Sequence, residues 1–263
     1  MLLTFDLDGV LMKNPFSTGV FPEVTRRLGT VSGLSHKEIM ARILDEARER
    51  VGKRDIVGAY DWDGIISLVA GELGYSERID VAELVRSYCT KEHIYYYPGV
   101  PETLDILSKQ GHTLVALTNG YKKYQLPVLE GLSIARFFTE ICTPEVCGFA
   151  KPEVGLFLEP RKRYGKPHVH IGDTVIHDVW GANQAGCITI WVNHSLPQEI
   201  WDLSIEERTV HPRLPSLVQE GIARDLNPGA YPEVTVEGSM PHYVIREIEE
   251  LVDIISLQGE ISI

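Results

Sequence analysis

The sequence predicts an α/β fold, in which helices flank an open, parallel β-sheet. The first observation is a set of short apolar runs that end in turn residues, a pattern typical of buried strands. The second is that segments with the apolar spacing of helices lie between these runs. The third is a stretch of roughly eighty residues, mostly helical in pattern, between the first two runs. It is much longer than a crossover and predicts an inserted helical domain.

The first predicted strand is followed directly by two carboxylates. Asp6 and Asp8 come after the apolar residues 2–5 and before Gly9. Side chains two positions apart on a strand point to the same face, so the two carboxylates can converge on one metal ion or one reacting group. Ligands bind at this end of the strands in open parallel sheets. The alternative is an ordinary strand-to-turn ending, because Asp and Gly are common turn residues.

The inserted stretch is predicted to begin with a loop at residues 16–33, which mix Gly, Pro, Ser and Thr. Ser35 and Glu38 have the spacing of a capping box and predict the start of a helix. Further helical patterns cover residues 62–73 and 81–88. The stretch ends at three tyrosines, residues 95–97, which either line a substrate cleft or pack the junction between two domains.

Later segments predict the remaining elements in order. Further strands are predicted at residues 113–117, 137–142, 168–172 and 187–192. Helices are predicted at residues 101–110, from about 122, after residue 152 with a kink or an end at Pro160, and at 241–257. Residues 193–240 are rich in Pro and charge, and they predict only a covering surface or an edge hairpin.

Polar residues follow the later strands as well. Thr118 and Asn119 suit hydrogen bonding to an anionic oxygen, although a plain turn or a helix N-cap also explains them. Lys151 precedes a predicted helix, where the dipole disfavours a cation unless an anion is near; as a lone lysine it is otherwise an ordinary surface residue. Asp173 follows a strand and Asp178 lies in the next helical turn. Capping explains one of these two aspartates, not both.

The histidines and cysteines do not predict a metal site. His168, His170 and His177 lack the spacing of a tetrahedral centre and are interpreted as structural or surface residues. The four cysteines are scattered, without a second close pair, and are interpreted as reduced thiols of a cytoplasmic protein. They are Cys89, Cys142, Cys147 and Cys187.

Composition limits the class of protein. The 263 residues are 44% hydrophobic and 24% charged, which suits one large domain or a core with a smaller inserted domain. A net charge of -12 argues against nucleic acid or an anionic membrane as the main partner. Without a long apolar stretch or an N-terminal basic region, the sequence is expected to be a soluble, non-secreted, cytoplasmic protein.

Taken in order, these segments resemble the motifs of the haloacid dehalogenase (HAD) superfamily, specifically its phosphatase branch with a helical cap after the first strand. The matching segments are Asp6-Leu7-Asp8-Gly9-Val10, Thr118-Asn119, Lys151-Pro152, and Gly172-Asp173 through Asp178. The combination is far more specific than any one segment and covers roughly residues 1–192. It implies a Rossmann-like core domain of residues 1–14 and 98–263, and an α-helical cap domain of residues 15–97.

The resemblance implies a role for each matching residue. Asp6 would be the nucleophile that forms an aspartyl-phosphate, and Asp8 the general acid that protonates the leaving oxygen and then activates water. Thr118, Asn119 and Lys151 would bind the phosphate and stabilise the charge of the transferring group.

The resemblance also implies a Mg²⁺ cofactor. Its expected ligands are Asp6, the backbone carbonyl of Asp8, and Asp173, an all-oxygen set with room for water. Asp178 would support Lys151 or a metal-bound water.

The leading hypothesis is therefore a Mg²⁺-dependent phosphatase acting on a small phosphorylated metabolite, such as a nucleoside monophosphate or a sugar phosphate. The family's dehalogenases lack an acid at the position of Asp8, which favours phosphoryl transfer. A phosphomutase on the same core, or a non-catalytic binding protein that kept the fold, are the alternatives. Substrate specificity is expected to lie in the insertion. Its weak candidates are Arg54, Asp61, Trp62 and the tyrosines at 95–97.

Overall fold

A six-stranded parallel sheet forms the centre of the computed structural model, which describes residues 1–165, 168–225 and 227–261. In spatial order its strands are β5 (Glu140–Cys142), β4 (Thr113–Leu117), β1 (Leu2–Phe5), β6 (His168–Gly172), β7 (Ile188–Val192) and β8 (Tyr243–Ile245). Phe5 of β1 lies opposite Ala116 on one side and Ile171 on the other. The carboxyl ends of β4, β1 and β6 therefore lie side by side. The α/β fold with a Rossmann-like parallel sheet is confirmed.

Both faces of the sheet are covered. Leu3 and Phe5 of β1 pack in one core cluster with residues of α5 and α13, whereas Leu2 packs in a second cluster with residues of α8 and α9. Burial on both faces explains why the strands read as continuous apolar runs. The helices of this core are α5 (Val100–Lys109), α6 (Lys122–Gly131), α7 (Pro144–Cys147), α8 (Val154–Tyr164), α9 (Gly181–Gln184), α10 (Gln198–Trp201), α11 (Ile205–Thr209), α12 (Leu214–Ala223) and α13 (Leu251–Ile261).

Four α-helices lie between β1 and α5 in the chain. They are α1 (Phe21–Ser32), α2 (His36–Gly52), α3 (Trp62–Glu72) and α4 (Val81–Ser87). The two ends of this stretch are paired, because β2 (Met12–Lys13) is antiparallel to β3 (Tyr95–Tyr96). The backbone N–H of Tyr97 also donates to the carbonyl of Leu11 over 3.1 Å. The chain thus enters and leaves the helical stretch at one place. A separate cap domain of residues 15–97 stays a prediction.

The predicted loop at residues 16–33 was wrong. A π-helical turn at Phe16–Val20 leads directly into α1. Pro22 stands in the first turn of that helix and Gly33 ends it at a φ of 69°, so both residues serve as helix ends. Val24 and Leu28 are buried one turn apart. The helix is held by this packing, which outweighs the loop-like composition.

The C-terminal part also differs from the prediction. Residues 241–257 begin with β8 and continue as helix α13 only from Leu251. Val244 and Ile245 are buried in the edge strand, because β-branched residues pack well on a sheet. An end of the helix at Pro160 was wrong as well, since α8 continues to Tyr164 with Pro160 buried.

Two further segments differ between the prediction and the structure. The predicted strand at residues 137–142 is shortened to β5, because Ala135–Phe137 form a 3-10 turn. Residues 193–240 contain the short helices α10 to α12 and no hairpin among the described residues. No helix in the described part of the chain has both the length and the apolar content needed to cross a bilayer.

Candidate active site

The ends of three neighbouring strands bring the predicted site residues together. Asp6 follows β1, and its backbone N–H still donates to the carbonyl of Ile171 over 2.9 Å. Thr118 follows β4 and its N–H donates to the carbonyl of Cys142 over 3.2 Å. Asp173 follows β6. Because the sheet alignment continues to these residues, their side chains meet above one edge of the sheet.

A tight turn directs the chain away after Asp8. The N–H groups of Leu11 and Met12 both donate to the carbonyl of Leu7, over 2.9 and 3.0 Å. Gly9 has a φ of 82°, which other residues rarely adopt. A Cβ atom at this position would lie 2.2 Å from Oδ2 of Asp173. Glycine is therefore required here both for the turn and for the close approach of Asp173.

Lys151 lies between two carboxylates. Its Nζ is 2.7 Å from Oδ1 of Asp6 and 2.6 Å from Oδ1 of Asp178, and the residue is only 2% exposed. Burial acts to lower the pKa of Lys151, but the charges of Asp178 and Asp6 outweigh it and raise the pKa above its usual value. The lysine is a buried cation and not the surface residue that a lone lysine usually is.

Asn119 holds the backbone of Lys151 from both sides. Its Nδ2 donates to the Lys151 carbonyl over 2.9 Å, and its Oδ1 accepts the Lys151 N–H over 2.7 Å. The amide is thus engaged with protein, whereas the sequence pattern suggested a contact with phosphate. The hydroxyl oxygen of Thr118 accepts the N–H of Gly120 over 3.2 Å, which leaves its proton available to an anion.

Asp178 is held as an anion below the site. Besides Lys151 it accepts hydrogen bonds from His170 Nε2 over 3.1 Å and from the N–H of Thr174 over 2.9 Å. Burial acts to raise the pKa of Asp178, but Lys151 and His170 hold it well below its usual value. It lies in the π-helical turn Val175–Trp180 that follows β6.

Asp6 and Asp8 differ in their partners. Burial raises the pKa of Asp6 to about 7, with Lys151 opposing the shift and Asp178 adding to it. Burial also raises the pKa of Asp8, whose Oδ2 accepts a hydrogen bond from Gln125 over 2.8 Å. The Oδ1 of Asp8 is buried without a hydrogen-bond partner among the described residues. Gln125 was not predicted, because nothing in the sequence separates it from the other polar residues of α6.

The carboxylates also form a cluster that could hold a metal ion. One oxygen from each of Asp6, Asp173 and Asp178 lies within 4.8 Å of the others. Burial, together with the charges of Asp6 and Asp178, raises the pKa of Asp173 well above its usual value. Its Oδ1 is buried without a partner in the described part of the chain. An oxygen donor set with unsatisfied, mutually repelling charge fits a hard divalent cation.

His177 was predicted to be structural or a surface residue, and it lines the same cavity. Its Nδ1 lies 2.8 Å from the carbonyl of Lys151 and its Nε2 lies 2.9 Å from Oδ2 of Asp225. Both ring nitrogens thus face an acceptor oxygen. Burial acts to lower the pKa of His177, but Asp225 outweighs it and raises the pKa. The histidine is therefore held between Asp225 and the Lys151 carbonyl.

One cavity of about 330 Å³ joins most of these groups. The predicted site residues that line it are Asp6, Asp8, Thr118, Asn119, Lys151 and Asp173. Of the weak specificity candidates, only Trp62 lines it. Tyr95 and Tyr96 are exposed, and Arg54 is paired with Glu233.

The chain is similar to known phosphatases. A family model of haloacid dehalogenase-like hydrolases matches residues 1–186. A glyceraldehyde 3-phosphate phosphatase of Methanopyrus kandleri is 35% identical over 125 residues, 46% of this chain and 54% of the relative. A phosphoglycolate phosphatase of Pseudomonas syringae pv. tomato is 28% identical over 211 residues, 74% of this chain and 72% of the relative.

A solved structure agrees with this assignment. The crystal structure of a HAD phosphatase from Thermococcus onnurineus superposes with a TM-score of 0.70 at 25% sequence identity, covering 97% of each chain. The match to the Methanopyrus relative spans about half of that protein's length. The family model, in contrast, covers well over half of this chain, including the ends of β1, β4 and β6. The chain belongs to the haloacid dehalogenase-like hydrolase family.

Proposed function

We propose that the chain is a Mg²⁺-dependent phosphatase that hydrolyses a small-molecule phosphate monoester through an aspartyl-phosphate on Asp6. One observation carries the proposal: Asp6, Asp8, Thr118, Lys151 and Asp173 line one cavity at the ends of three adjacent parallel strands. Two carboxylates, a buried cation and an acidic cluster are the groups that phosphate ester hydrolysis requires.

Asp6 is the proposed nucleophile. A carboxylate oxygen of Asp6 forms a bond to phosphorus while the ester P–O bond breaks. Lys151 holds Oδ1 of Asp6 at 2.7 Å and is itself fixed by Asp178 and Asn119. The carboxylate is thus oriented before the substrate arrives, which lowers the entropic cost of the attack. Lys151 and the hydroxyl of Thr118 stabilise the negative charge on the transferring group.

Asp8 is the proposed general acid and base. Burial raises its pKa, so it can carry the proton that the leaving oxygen needs, while Gln125 orients its other oxygen. The leaving group departs as an alcohol. Asp8 then takes a proton from the water that attacks phosphorus, the bond from phosphorus to Asp6 breaks, and inorganic phosphate is formed.

Asp6, Asp173 and the backbone carbonyl of Asp8 are the proposed ligands of Mg²⁺. When bound, the ion would neutralise the charge of the carboxylates and of the phosphate. Asp178 belongs to the same acidic cluster, but Lys151, His170 and Thr174 already occupy its oxygens. We therefore assign Asp178 to the support of Lys151.

The substrate is proposed to be a small phosphorylated metabolite. The relatives include proteins named phosphatases of glyceraldehyde 3-phosphate, phosphoglycolate and phosphoserine. Residues 15–97 are proposed to act as a cap domain over the site. The pairing of β2 with β3 at both ends of this stretch, and the presence of Trp62 in the cavity, support that role.

The proposal is tested by measuring inorganic phosphate release from a panel of phosphate monoesters, with Mg²⁺ and with a chelator. We expect Mg²⁺-dependent release by the natural chain and a loss of at least about 10³-fold in Asp6→Asn, because the amide is a poor nucleophile. Asp45→Asn is the matched control, since Asp45 is exposed and pairs only with Arg48.

Turnover by Asp6→Asn at the natural rate would exclude the mechanism. An isomerised product without phosphate release would indicate a phosphomutase. Binding of phosphate esters without either product would indicate a non-catalytic binding protein.

A further inference from the structure

The cavity has two chemically different ends. The polar end holds the carboxylates and Lys151, as described above. The other end is lined by aromatic side chains from the helical insertion and from α6: Phe16, Phe21, Trp62 and Tyr124. If the phosphate binds at the polar end, as the proposed function requires, the leaving group lies against this aromatic wall.

The aromatic wall is a packed cluster. The ring centroid of Phe16 lies 5.2 Å from that of Phe21, 6.0 Å from that of Trp62 and 5.7 Å from that of Tyr124. Phe21 and Trp62 meet edge to face at 5.3 Å. These distances are in the range of favourable ring contacts, so the rings hold each other in fixed positions. A rigid wall of rings favours a planar apolar ligand, because little side-chain entropy is lost when it binds.

Most polar groups at this end are already engaged with protein. The hydroxyl of Tyr124 donates to Oδ2 of Asp63 over 2.9 Å and accepts the N–H of Asp63 over 3.0 Å. The Oδ1 of Asn14 accepts the N–H of Phe16 over 3.0 Å, and the amide of Gln125 donates to Asp8. The Oε1 of Gln125 is buried without a partner among the described residues, so it is one acceptor that remains open to a leaving group.

The cavity also lacks a cation that could meet an anionic leaving group. Among the described residues that line it, the side chains that can carry a positive charge are Lys151 and His177. Lys151 is paired with Asp6 and Asp178, and His177 with Asp225. The carboxylates of Asp8 and Asp173 would repel a second anionic group on the substrate.

From this lining we propose that the substrate is a phosphate monoester whose leaving group is a single uncharged aromatic ring, and not a carboxylate-bearing ester such as phosphoglycolate. The inference rests on the proposed function and specifies its substrate class. The cavity volume of about 330 Å³ is at the lower end of the range for small-molecule sites, which fits one ring beside a phosphate.

The first test compares benzyl phosphate with phosphoglycolate on the natural chain. Both esters release an alkoxide oxygen on a CH₂ group, so a difference reports mainly on the leaving-group site. We expect kcat/KM to be at least about tenfold higher for benzyl phosphate, the size of effect that one or two ring contacts supply. An equal or higher value for phosphoglycolate would overturn the proposal.

The second test removes one ring of the wall. Trp62→Ala is expected to lower kcat/KM for benzyl phosphate about tenfold and to leave that for methyl phosphate within about twofold. Tyr96→Ala is the matched control, because Tyr96 is an exposed aromatic residue outside the cavity. An equal loss for both esters in Trp62→Ala would contradict a role in leaving-group binding. If Trp62→Ala does not fold, the comparison on the natural chain decides.

A binding measurement separates this inference from the proposed function. Benzylphosphonate carries the ring, and phosphonoacetate carries the carboxylate, each on a phosphonate that cannot be hydrolysed. Calorimetry with Mg²⁺ present is expected to show at least about tenfold tighter binding of benzylphosphonate. Tighter binding of phosphonoacetate would overturn the substrate class even if phosphate release is observed. Tight benzylphosphonate binding without hydrolysis of any ester would support recognition of an uncharged ring and reject the phosphatase.

Discussion

At the scale of single residues, the site depends on side chains that fix Lys151. Asn119 engages both backbone groups of Lys151, and Asp178 accepts its ammonium. A buried lysine without such partners would be neutral, because burial lowers its pKa. The cation persists because two carboxylates lie within hydrogen-bond distance. Asn119 is thus a positioning residue, and a sequence motif alone does not distinguish that role from phosphate binding.

A buried network of hydrogen-bonded side chains continues from Asp178 onto the strands of the sheet. His170 donates to Asp178 through Nε2, and its Nδ1 lies 2.9 Å from the hydroxyl of Thr4. The same hydroxyl lies 2.8 Å from Nε2 of His168. These side chains lie on β1 and β6, in the interior of the sheet. All hydrogen bonds of this network form only while each histidine nitrogen that accepts a hydrogen bond stays unprotonated.

His168 therefore makes stability depend on pH. Burial lowers its pKa to about 3, whereas the unfolded chain has a value of about 6.5. Below about pH 6.5 the unfolded state binds a proton that the folded state excludes, so stability falls as pH falls towards 3. In His168→Gln this contribution is absent. As pH is lowered from 6 to 4, we expect the unfolding free energy of the natural chain to fall by about 1.4 kcal/mol per pH unit more than that of His168→Gln.

Urea unfolding of both proteins at several pH values measures this difference, and groups that titrate in both cancel. Parallel curves for the two proteins would contradict the assignment of His168 as a buried neutral base.

At the scale of elements, the turn between β1 and β2 links the first motif to the last. Gly9 approaches Asp173 so closely that the conformation of one strand end determines the position of another strand's carboxylate. The turn has few alternatives, because three backbone N–H groups of residues 10–12 donate to the carbonyl of Leu7. The conformations of these two strand ends therefore depend on each other.

Gly9→Ala is expected to lower the unfolding free energy by more than about 1–2 kcal/mol and to reduce kcat/KM by at least about 100-fold. The first loss is the cost of a positive φ, and the second follows from displacement of Asp173. Gly74→Ala is the matched control: Gly74 has a φ of 74° but no atom within 4 Å of an added Cβ. It should show the conformational cost alone, with full activity. Urea unfolding measures the loss of stability, and phosphate release measures the loss of activity. Equal activity losses in Gly9→Ala and Gly74→Ala would contradict the role of the contact between residue 9 and Asp173.

The sequence predicts elements well where pattern and burial agree. The strands β1, β4, β6 and β7 are buried on both faces, and each was found near its predicted position. The capping box of Ser35 and Glu38 is present at the start of α2. In contrast, α1 was missed because its Gly and Pro stand at helix ends, and β8 was missed because the spacing of Val244 and Ile248 also fits a helix.

The site residues likewise divide into those that the sequence predicts and those that it does not. Asp6, Asp8, Thr118 and Asp173 follow strands closely, so sequence order is enough to bring them together, whereas Lys151 lies in the loop between α7 and α8. Gln125 and Asp225 reach the site from helices or loops, and their approach depends on packing angles that no local pattern encodes. Long-range partners of this kind require the three-dimensional structure.

At the scale of the whole molecule, a segment beyond the family match completes the site. The family model ends at residue 186, whereas β8 extends the sheet after that point and α12 packs near the π-helical turn. His194 lies 2.9 Å from the carbonyl of Gly9 and stacks on Tyr97 at 4.3 Å. Asp225 follows α12 and pairs with His177. The C-terminal segment thus contacts the first motif, the end of the insertion and the last motif.

Asp225 tests whether this segment supports catalysis. In Asp225→Ala the buried His177 loses its anionic partner, and its hold on the carbonyl of Lys151 is weakened. We expect the unfolding free energy to fall by about 3 kcal/mol and kcat/KM by about tenfold. Asp225→Asn keeps an acceptor for His177 and should lose less of both. Arg224→Ala is the matched control, because its exposed side chain pairs only with Glu220, and a surface pair contributes less than about 1 kcal/mol.

The two readouts separate a structural role from a positioning role. If Asp225 serves folding alone, Asp225→Ala will lose stability while the folded fraction keeps the natural kcat, since Lys151 would remain in place through Asn119. If it acts through His177, kcat falls at temperatures where the variant is fully folded, and Asp225→Asn restores part of it. Because Asp225 lies outside the residues that the family model matches, the second result would mean that this chain uses its own C-terminal segment to fix a lysine that the resemblance assigns to the common core.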